Sequence, residues 1–386
     1  MSRKLNESQM IDIIWGATLM GGGGGGPISG GMELLNAYKR HHPNQTPCVE
    51  MITASEMQDG VYAAATAGMG APAAIVGVDF SQFAANAFAL LKEVAARDGK
   101  VLEYNIPVEL GGFSIFFPLL LSMLTGKPTV DADGAGRAVP ALETLLLHVN
   151  GCPTTPCALA NGDNDKIILE LADCHNAPLA EKIGRDICGE FGNMVGISGW
   201  MVNRDDVQNR IITGSITLCE EIGKIMRDDS LDKSRLFEAL VEKGLLEAKV
   251  ICKGKIQSND VVTRGGFDFG AVVVEDEATG GVYQINYQNE NLLLQKKTGE
   301  DTFENLMTVP DLTCMYCIDP QGSDGVSAGM PLSNADAKAG MKVAVAVVKV
   351  DPKWFLTETA WWDVWKECME HIGYEGGYLA FDDVKC

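Results

Sequence analysis

Positive charge is scarce in this chain. Its 386 residues carry 31 Lys and Arg against 52 Asp and Glu, a formal net charge of −21, and the basic residues form no stripe. A protein that tracks a phosphate backbone needs such a stripe, so nucleic acid is not an expected partner. Long apolar runs are lacking as well. The N-terminal stretch is interrupted by Glu7, Gln9 and Asp12 and then by glycines, which fits neither a secretory leader nor a membrane span and predicts a cytoplasmic protein. There is no visible repeat and no low-complexity linker apart from one glycine run. The 11 cysteines are scattered and odd in number, unlike a secreted disulfide framework, so most are expected to be buried thiols. The one tight pair, Cys314-Met-Tyr-Cys317, could ligate a metal or form a redox couple. It lies in a strand-like run ahead of the turn Asp319-Pro-Gln-Gly322 with no second pair to answer it, and a structural role is expected.

What is present is a chain with 46% apolar residues, long for a single core, so two domains are expected. Residues 8–20 have a helical pattern, and Met32 to Tyr38 another. Strand-like and helix-like segments then alternate: strands at 48–53, 73–78, 101–108 and 127–131, helices at 80–97, 114–124 and 139–149. Later strands are read at 167–171 and 195–202, with helices at 180–191, 215–226 and 232–243. From Leu246 onward β-branched, alternating runs separated by Gly- and Asp-rich turns predominate. The expected fold is therefore an α/β N-terminal domain, residues 1–165, with a β-rich (α+β) C-terminal domain, residues 166–386.

Several loops could carry chemistry. Thr129 to Pro140 places Asp131 and Asp133 after a short strand, followed by Gly134, Gly136 and Arg137. Such a loop presents charge where ligands collect in α/β sheets, although Asp-Gly pairs also make ordinary turns and Asp133 could simply cap a helix. Six glycines, Gly21 to Gly26, precede a helix and could bring backbone N–H groups close to a ligand. They match neither a P-loop nor a dinucleotide fingerprint, and a flexible linker is the alternative. Glu109-Leu-Gly-Gly-Phe113 sets a carboxylate beside two glycines, Tyr287-Gln-Asn-Glu-Asn291 gathers hydrogen-bonding side chains at a strand end, and Thr263-Arg-Gly-Gly-Phe267 pairs an arginine with a sharp turn. Of the five histidines, His148 and His175 lie nearest these loops in sequence, where each could equally serve structure alone. Asp131, Asp133, His148 and His175, with Glu109, are the residues available to a divalent metal such as zinc.

Taken in order, these stretches resemble the S-methyl thiohydantoin desulfurase family. The resemblance rests on Gly21 to Gly26, Gly70-Ala-Pro72, Glu109-Leu-Gly-Gly112, Val130-Asp-Ala-Asp-Gly-Ala-Gly-Arg-Ala138, Gln288-Asn-Glu-Asn291, Pro310-Asp-Leu312 and Ile372-Gly-Tyr374, and it spans nearly the whole chain. It implies a hydrolase that desulfurates a thiohydantoin or S-alkyl thiohydantoin ring, with related cyclic ureides as further candidates and a small molecule as the partner. A homo-oligomer is compatible with it. Asp131, Asp133, Arg137, Asn289 and Glu290 would be the catalytic residues: Asp133 as base, Arg137 and Asn289 stabilising charge, and Glu290 as acid. Gly22, Gly23, Gly24, Gly25, Glu109, Gly111, Gly112, Phe113 and Gly134 would line the substrate. Three positions depart from the family pattern: Gly26 replaces an Asp, Phe113 an Asn, and Ala141 a Glu. A binding or regulatory protein that keeps the fold without the activity is the alternative those departures raise.

Overall fold

The computed structural model describes residues 2–70, 80, 82–300, 302–322 and 325–385. The expected strand at 73–78 and the Ala-Pro of the Gly70 motif lie outside the described residues.

The N-terminal half builds one mixed sheet from β1 (Arg3–Leu5), β2 (Val49–Ile52), β3 (Val61–Gly70), β4 (Val101–Pro107), β5 (Thr129–Val130), β7 (Cys157–Ala160), β8 (Lys166–Leu169) and β9 (Met194–Val202), in the order β1-β2-β5-β4-β3-β9-β7-β8. β6 (Ala132–Asp133) instead pairs with β10 (Ile212–Thr213) in a separate two-stranded ladder. The pairings β2–β5, β5–β4 and β4–β3 are parallel and the others in the sheet are antiparallel. Around it run α1 (Glu7–Met20), α2 (Ile28–His41), α3 (Phe83–Arg97), α4 (Phe116–Thr125), α5 (Leu146–Val149), α6 (Ala177–Glu190), α7 (Arg204–Arg210), α8 (Ser215–Arg227) and α9 (Leu236–Glu242).

A seven-stranded antiparallel sheet follows: β11 (Ala248–Arg264), β12 (Phe267–Asp276), β13 (Val282–Gln288), β14 (Glu290–Lys297), β15 (Phe303–Thr308), β16 (Leu312–Cys317) and β17 (Lys342–Val348). The chain ends with the short helices α10 (Ala360–Asp363) and α11 (Lys366–His371). No helix of the described residues is long and apolar enough to cross a membrane.

This is the expected two-domain architecture, but the sheets do not divide at residue 165. β9 is buried throughout and pairs with both β3 and β7, so the first sheet continues to Val202 and the second begins at Ala248. The expected helix over 139–149 is also broken. Leu145 takes an extended backbone, φ −73°, ψ 140°, which leaves a 3-10 turn at Leu142–Thr144 and the single turn of α5.

The Cys pair has the structural role expected of it. Cys314 and Cys317 sit three apart on β16, which puts their side chains on opposite faces. Both thiols are buried and unbridged, and burial pushes Cys314 up to about 12, so neither is a ready thiolate.

Candidate active site

The glycine run is a fixed loop. From one side Gly112 N donates to Gly26 O at 3.0 Å, and Phe113 N and Ser114 N both donate to Gly25 O at 3.0 Å; from the other, Asn291 N donates to Gly22 O at 2.8 Å and Asn334 N to Gly23 O at 2.7 Å. A segment bonded by both domains is no linker. Its glycines are needed for close approach. A Cβ on Gly24 would lie 2.1 Å from Glu290 Oε1, and one on Gly25, where φ is +65°, would lie 2.3 Å from the carbonyl oxygen of Leu110.

The two substitutions should therefore fail differently. Gly25→Ala meets rigid backbone in a left-handed conformation and should destabilise the fold by about 1–3 kcal/mol. Gly24→Ala should displace the Glu290 carboxyl with a smaller loss of stability, since its φ is not in that region. Urea unfolding curves of both variants check the ordering.

Above the loop lies a cavity of about 190 Å³. Gly23 to Pro27, Glu109, Phe113, Ser114 and the 139–142 turn reach it from the N-terminal half, together with Glu181 and Arg185 of α6. Val261, Asp268, Tyr287, Asn289, Glu290, Ser333 and Asn334 reach it from the C-terminal sheet. The β11–β12 hairpin spans the two: Arg185 stacks its guanidinium 4.7 Å from the Phe267 ring centre, and Arg264 covers Phe269 at 4.2 Å.

Two carboxyls dominate the chemistry of this space. Glu290 is the residue after the reversal between β13 and β14. That reversal turns on Asn289, at φ +55°, a left-handed conformation Asn tolerates better than most residues. Asn289 N donates to Asp268 O at 2.7 Å and its Oδ1 accepts from Asp268 N at 2.9 Å, so what it can offer a ligand is its Nδ2 hydrogens. Burial, and then the neighbouring Glu109 carboxylate, push Glu290 well above the usual carboxyl range, against the opposing pull of Arg137. Gly25 N hydrogen-bonds the Glu290 carboxyl, while its Oε2 has no partner among the described residues. Glu109 is raised by burial to about 7, although Val139 N donates to its Oε2 at 2.8 Å and Ser114 Oγ to its Oε1 at 2.8 Å. A protonated acid and a group that titrates near neutrality thus share one cavity.

The remaining expected residues are placed otherwise. Asp131 caps α8: its Oδ1 accepts from Ile216 N at 3.0 Å and Thr217 N at 3.1 Å, and its Oδ2 from Thr217 Oγ1 at 2.5 Å. Asp133 is fully buried and ties its own turn, with Oδ1 accepting from Ala135 N at 2.8 Å and Gly136 N at 2.5 Å. Neither lines the cavity. The turn-and-cap alternative describes both: Asp133 serves the N–H groups of its own turn, and Asp131 those at the start of the distant helix α8.

Arg137 is also fully buried and away from the cavity. Its Nη1 donates to Pro310 O at 2.8 Å and Asp311 O at 3.1 Å, its Nη2 to Asn291 O at 3.0 Å and its Nε to Ala138 O at 2.9 Å. It joins the two halves. Burial, and then the neighbouring His175, hold His148 below the ordinary imidazole range, but neither histidine lines the cavity, and no group of three or more metal-ligating side chains gathers among the described residues. Gly22, Gly111, Gly112 and Gly134 pack behind the site without lining it; a Cβ on Gly111 would meet the Gly25 backbone at 2.3 Å.

Sequence reasoning missed Glu181, Arg185, Asp268 and Asn334. Glu181 and Arg185 form an i,i+4 pair on α6, Arg185 Nε to Glu181 Oε1 at 2.6 Å, a spacing that reads as an ordinary solvated helix pair. The Ser333-Asn334 loop carries no motif of its own.

Models of the S-Me-THD-like N-terminal domain and of the S-Me-THD-like C-terminal domain match residues 8–171 and 175–362. The chain belongs to the S-Me-THD-like family. A crystal structure of a protein from Chromobacterium violaceum has a similar fold, with a TM-score of 0.81 and 23% sequence identity over 97% of this chain and 99% of that one. No curated protein matches. Gly26, Phe113 and Ala141, the positions expected to depart from the family pattern, all line this cavity.

The raised carboxyls make stability depend on pH. Asp133 at about 6, Glu109 and Glu143 at about 7, and Glu290, raised well above the usual carboxyl range by burial, hold protons that the unfolded chain has already released. Their contribution is complete below the ordinary carboxyl range and is lost as pH rises through the folded values. The melting temperature should be higher at about pH 5 than at about pH 8, and Glu290→Gln should flatten that fall. A rising melting temperature over the same interval would contradict it.

Proposed function

We propose that the cavity hydrolyses the carbon–sulfur bond of a thiohydantoin or S-alkyl thiohydantoin ring. The carrying observation is the pair of carboxyls, half-buried Glu109 and buried Glu290, held in one cavity with one titrating near neutrality and the other kept protonated. Water is a poor nucleophile toward a resonance-stabilised carbon between two ring nitrogens, and a departing sulfur needs a proton. In this reading Glu109 removes a proton from water as its oxygen bonds to that carbon. Glu290 then gives its proton to sulfur as the C–S bond breaks, and sulfide or a thiol leaves. The proton left on the added oxygen moves to the ring nitrogen when the substrate is S-alkylated, or leaves with the sulfide when it is a thiohydantoin, so the ring carries a carbonyl in place of the C–S group. One proton enters Glu109 and one leaves Glu290, so transfer between the interacting carboxyls restores the starting state.

The backbone also suits such a ligand. The glycine run lets main-chain atoms approach the ring without side-chain interference, and Asn289 Nδ2 can donate to charge developing on it. The base assigned on sequence grounds to Asp133 moves to Glu109, because Asp133 does not reach the cavity.

Thiol release from an S-methyl 5-benzylthiohydantoin, followed with a thiol-reactive dye in ¹⁸O-water, tests the reading. Expected is stoichiometric methanethiol and one ¹⁸O in the hydantoin product. Absence of release by folded protein would favour a binding protein, the alternative that Gly26, Phe113 and Ala141 raise. Elemental analysis of protein purified without chelator or added metal tests separately whether a divalent ion accompanies the chain.

A further inference from the structure

The cavity lining is of two kinds. Part of it is polar: Glu290 and Asn334 are 3% and 6% exposed, line the space, and carry Glu290 Oε2 and Asn334 Oδ1 without partners among the described residues. Part of it is apolar: Phe113, which stands edge-on to Phe117 with ring centres 4.8 Å apart, and also Met69, Met194 and Ile197. Phe113 fits there only because its neighbours lack side chains: a Cβ on Gly26 would lie 2.5 Å from Phe113 Cβ, and one on Gly30 would lie 3.0 Å from it.

The charge of the lining is one-sided. Glu109, Glu181, Glu290 and Asp268 reach the cavity, and among the described lining residues Arg185 is the one cation. Arg185 is already engaged with Glu181 and Gly70 O, and it stacks on Phe267.

From this arrangement we infer that the ligand is a neutral ring amide bearing an aryl or alkyl substituent, and that rings with a carboxylate-bearing substituent are rejected. The inference rests on the ring-hydrolase reading and names the substrate class within it. A ring amide edge carries both an N–H donor and an acceptor oxygen or sulfur. Those match the Asn334 Oδ1 acceptor and the Glu290 carboxyl, and the substituent then lies along the Phe113 wall. An apolar group there gains by leaving water. A carboxylate there loses its hydration and meets acidic neighbours without an uncommitted cation.

Binding to the intact protein tests this without turnover, because hydantoins are products of the proposed reaction. The probes are 5-benzylhydantoin, hydantoin-5-acetic acid and unsubstituted hydantoin, measured by titration calorimetry. The benzyl ring should bind at least about 100-fold more tightly than the acetate. Phe113→Asn should reduce that preference to below about tenfold, and Phe113→Leu, which keeps the wall apolar, should retain most of it. If Phe113→Asn does not fold, the wild-type ratio together with Phe113→Leu decides. Equal or tighter binding of hydantoin-5-acetic acid would overturn the substrate class and leave the ring reading standing. No binding of any of the three hydantoins would overturn the ring reading and this inference with it.

Discussion

Glu109→Gln should lower thiol release by about 100- to 10,000-fold while leaving the affinity for a hydantoin product within about tenfold. Val139 N and Ser114 Oγ donate to different oxygens of Glu109; glutamine keeps its carbonyl oxygen as the acceptor for Val139 N, and its Nε2 can donate to Ser114 Oγ, whose hydroxyl turns from donor to acceptor. What it removes is the group that titrates near neutrality. Because Glu109 is raised to about 7, kcat/KM should rise with pH as that carboxyl ionises, and the rise should vanish in the variant. The same substitution should not weaken the fold, since a neutral amide replaces a carboxyl that burial already penalises. A variant that loses rate and melting temperature together would indicate a structural role and contradict the assignment as base.

Arg137→Met should have the opposite profile: a large loss of stability. The guanidinium bonds four carbonyls, those of Ala138, Asn291, Pro310 and Asp311, three of them in the other half of the chain. It also lies 5.4 Å from the Trp365 ring, and Trp354 Nε1 donates to Ala135 O at 2.9 Å beside it. Methionine matches the stem but leaves those acceptors buried without donors, which should cost about 3–5 kcal/mol. Denaturant unfolding measures it directly. A change under about 1 kcal/mol would mean that the interdomain contact is held elsewhere.

Much of the fold can be read from hydrophobic period, and the misses have physical causes. α1, α2 and α3 fall where the apolar spacing puts them, as do β2, β4 and β9. β3 does not announce itself, because Val61-Tyr-Ala-Ala-Ala-Thr-Ala-Gly-Met-Gly70 is poor in β-branched residues. Its small side chains are required by its place between β4 and β9, where a Cβ on Gly68 would sit 2.5 Å from the Phe117 ring. Packing decides that strand, not propensity.

The loops expected to form a site do reach one cavity, whereas the expected Asp131 and Asp133 lie outside its lining. Gly23 to Gly26 of the glycine run, Glu109 and Asn289-Glu290 stand out in the sequence and do meet at one cavity. Asp131 and Asp133 stand out from the sequence as candidate catalysts, but Asp133 takes the backbone donors of its own turn and Asp131 those at the start of α8, which only the fold brings to it. Glu181, Arg185 and Asn334 arrive from segments distant in sequence, and only the tertiary contacts bring them in.

In the proposed mechanism the cavity carboxyls, and not the Asp131–Asp133 loop, perform the chemistry. Single-turnover thiol release by Glu290→Gln and Asp133→Asn, each verified as folded by its melting transition, tests it most directly. Asparagine preserves the Oδ1 acceptor that holds the Asp133 turn, so release by Asp133→Asn should stay within about tenfold of the unmodified protein, while Glu290→Gln should fall by about 100-fold or more. Full activity in Glu290→Gln alongside collapse in a folded Asp133→Asn would contradict the account.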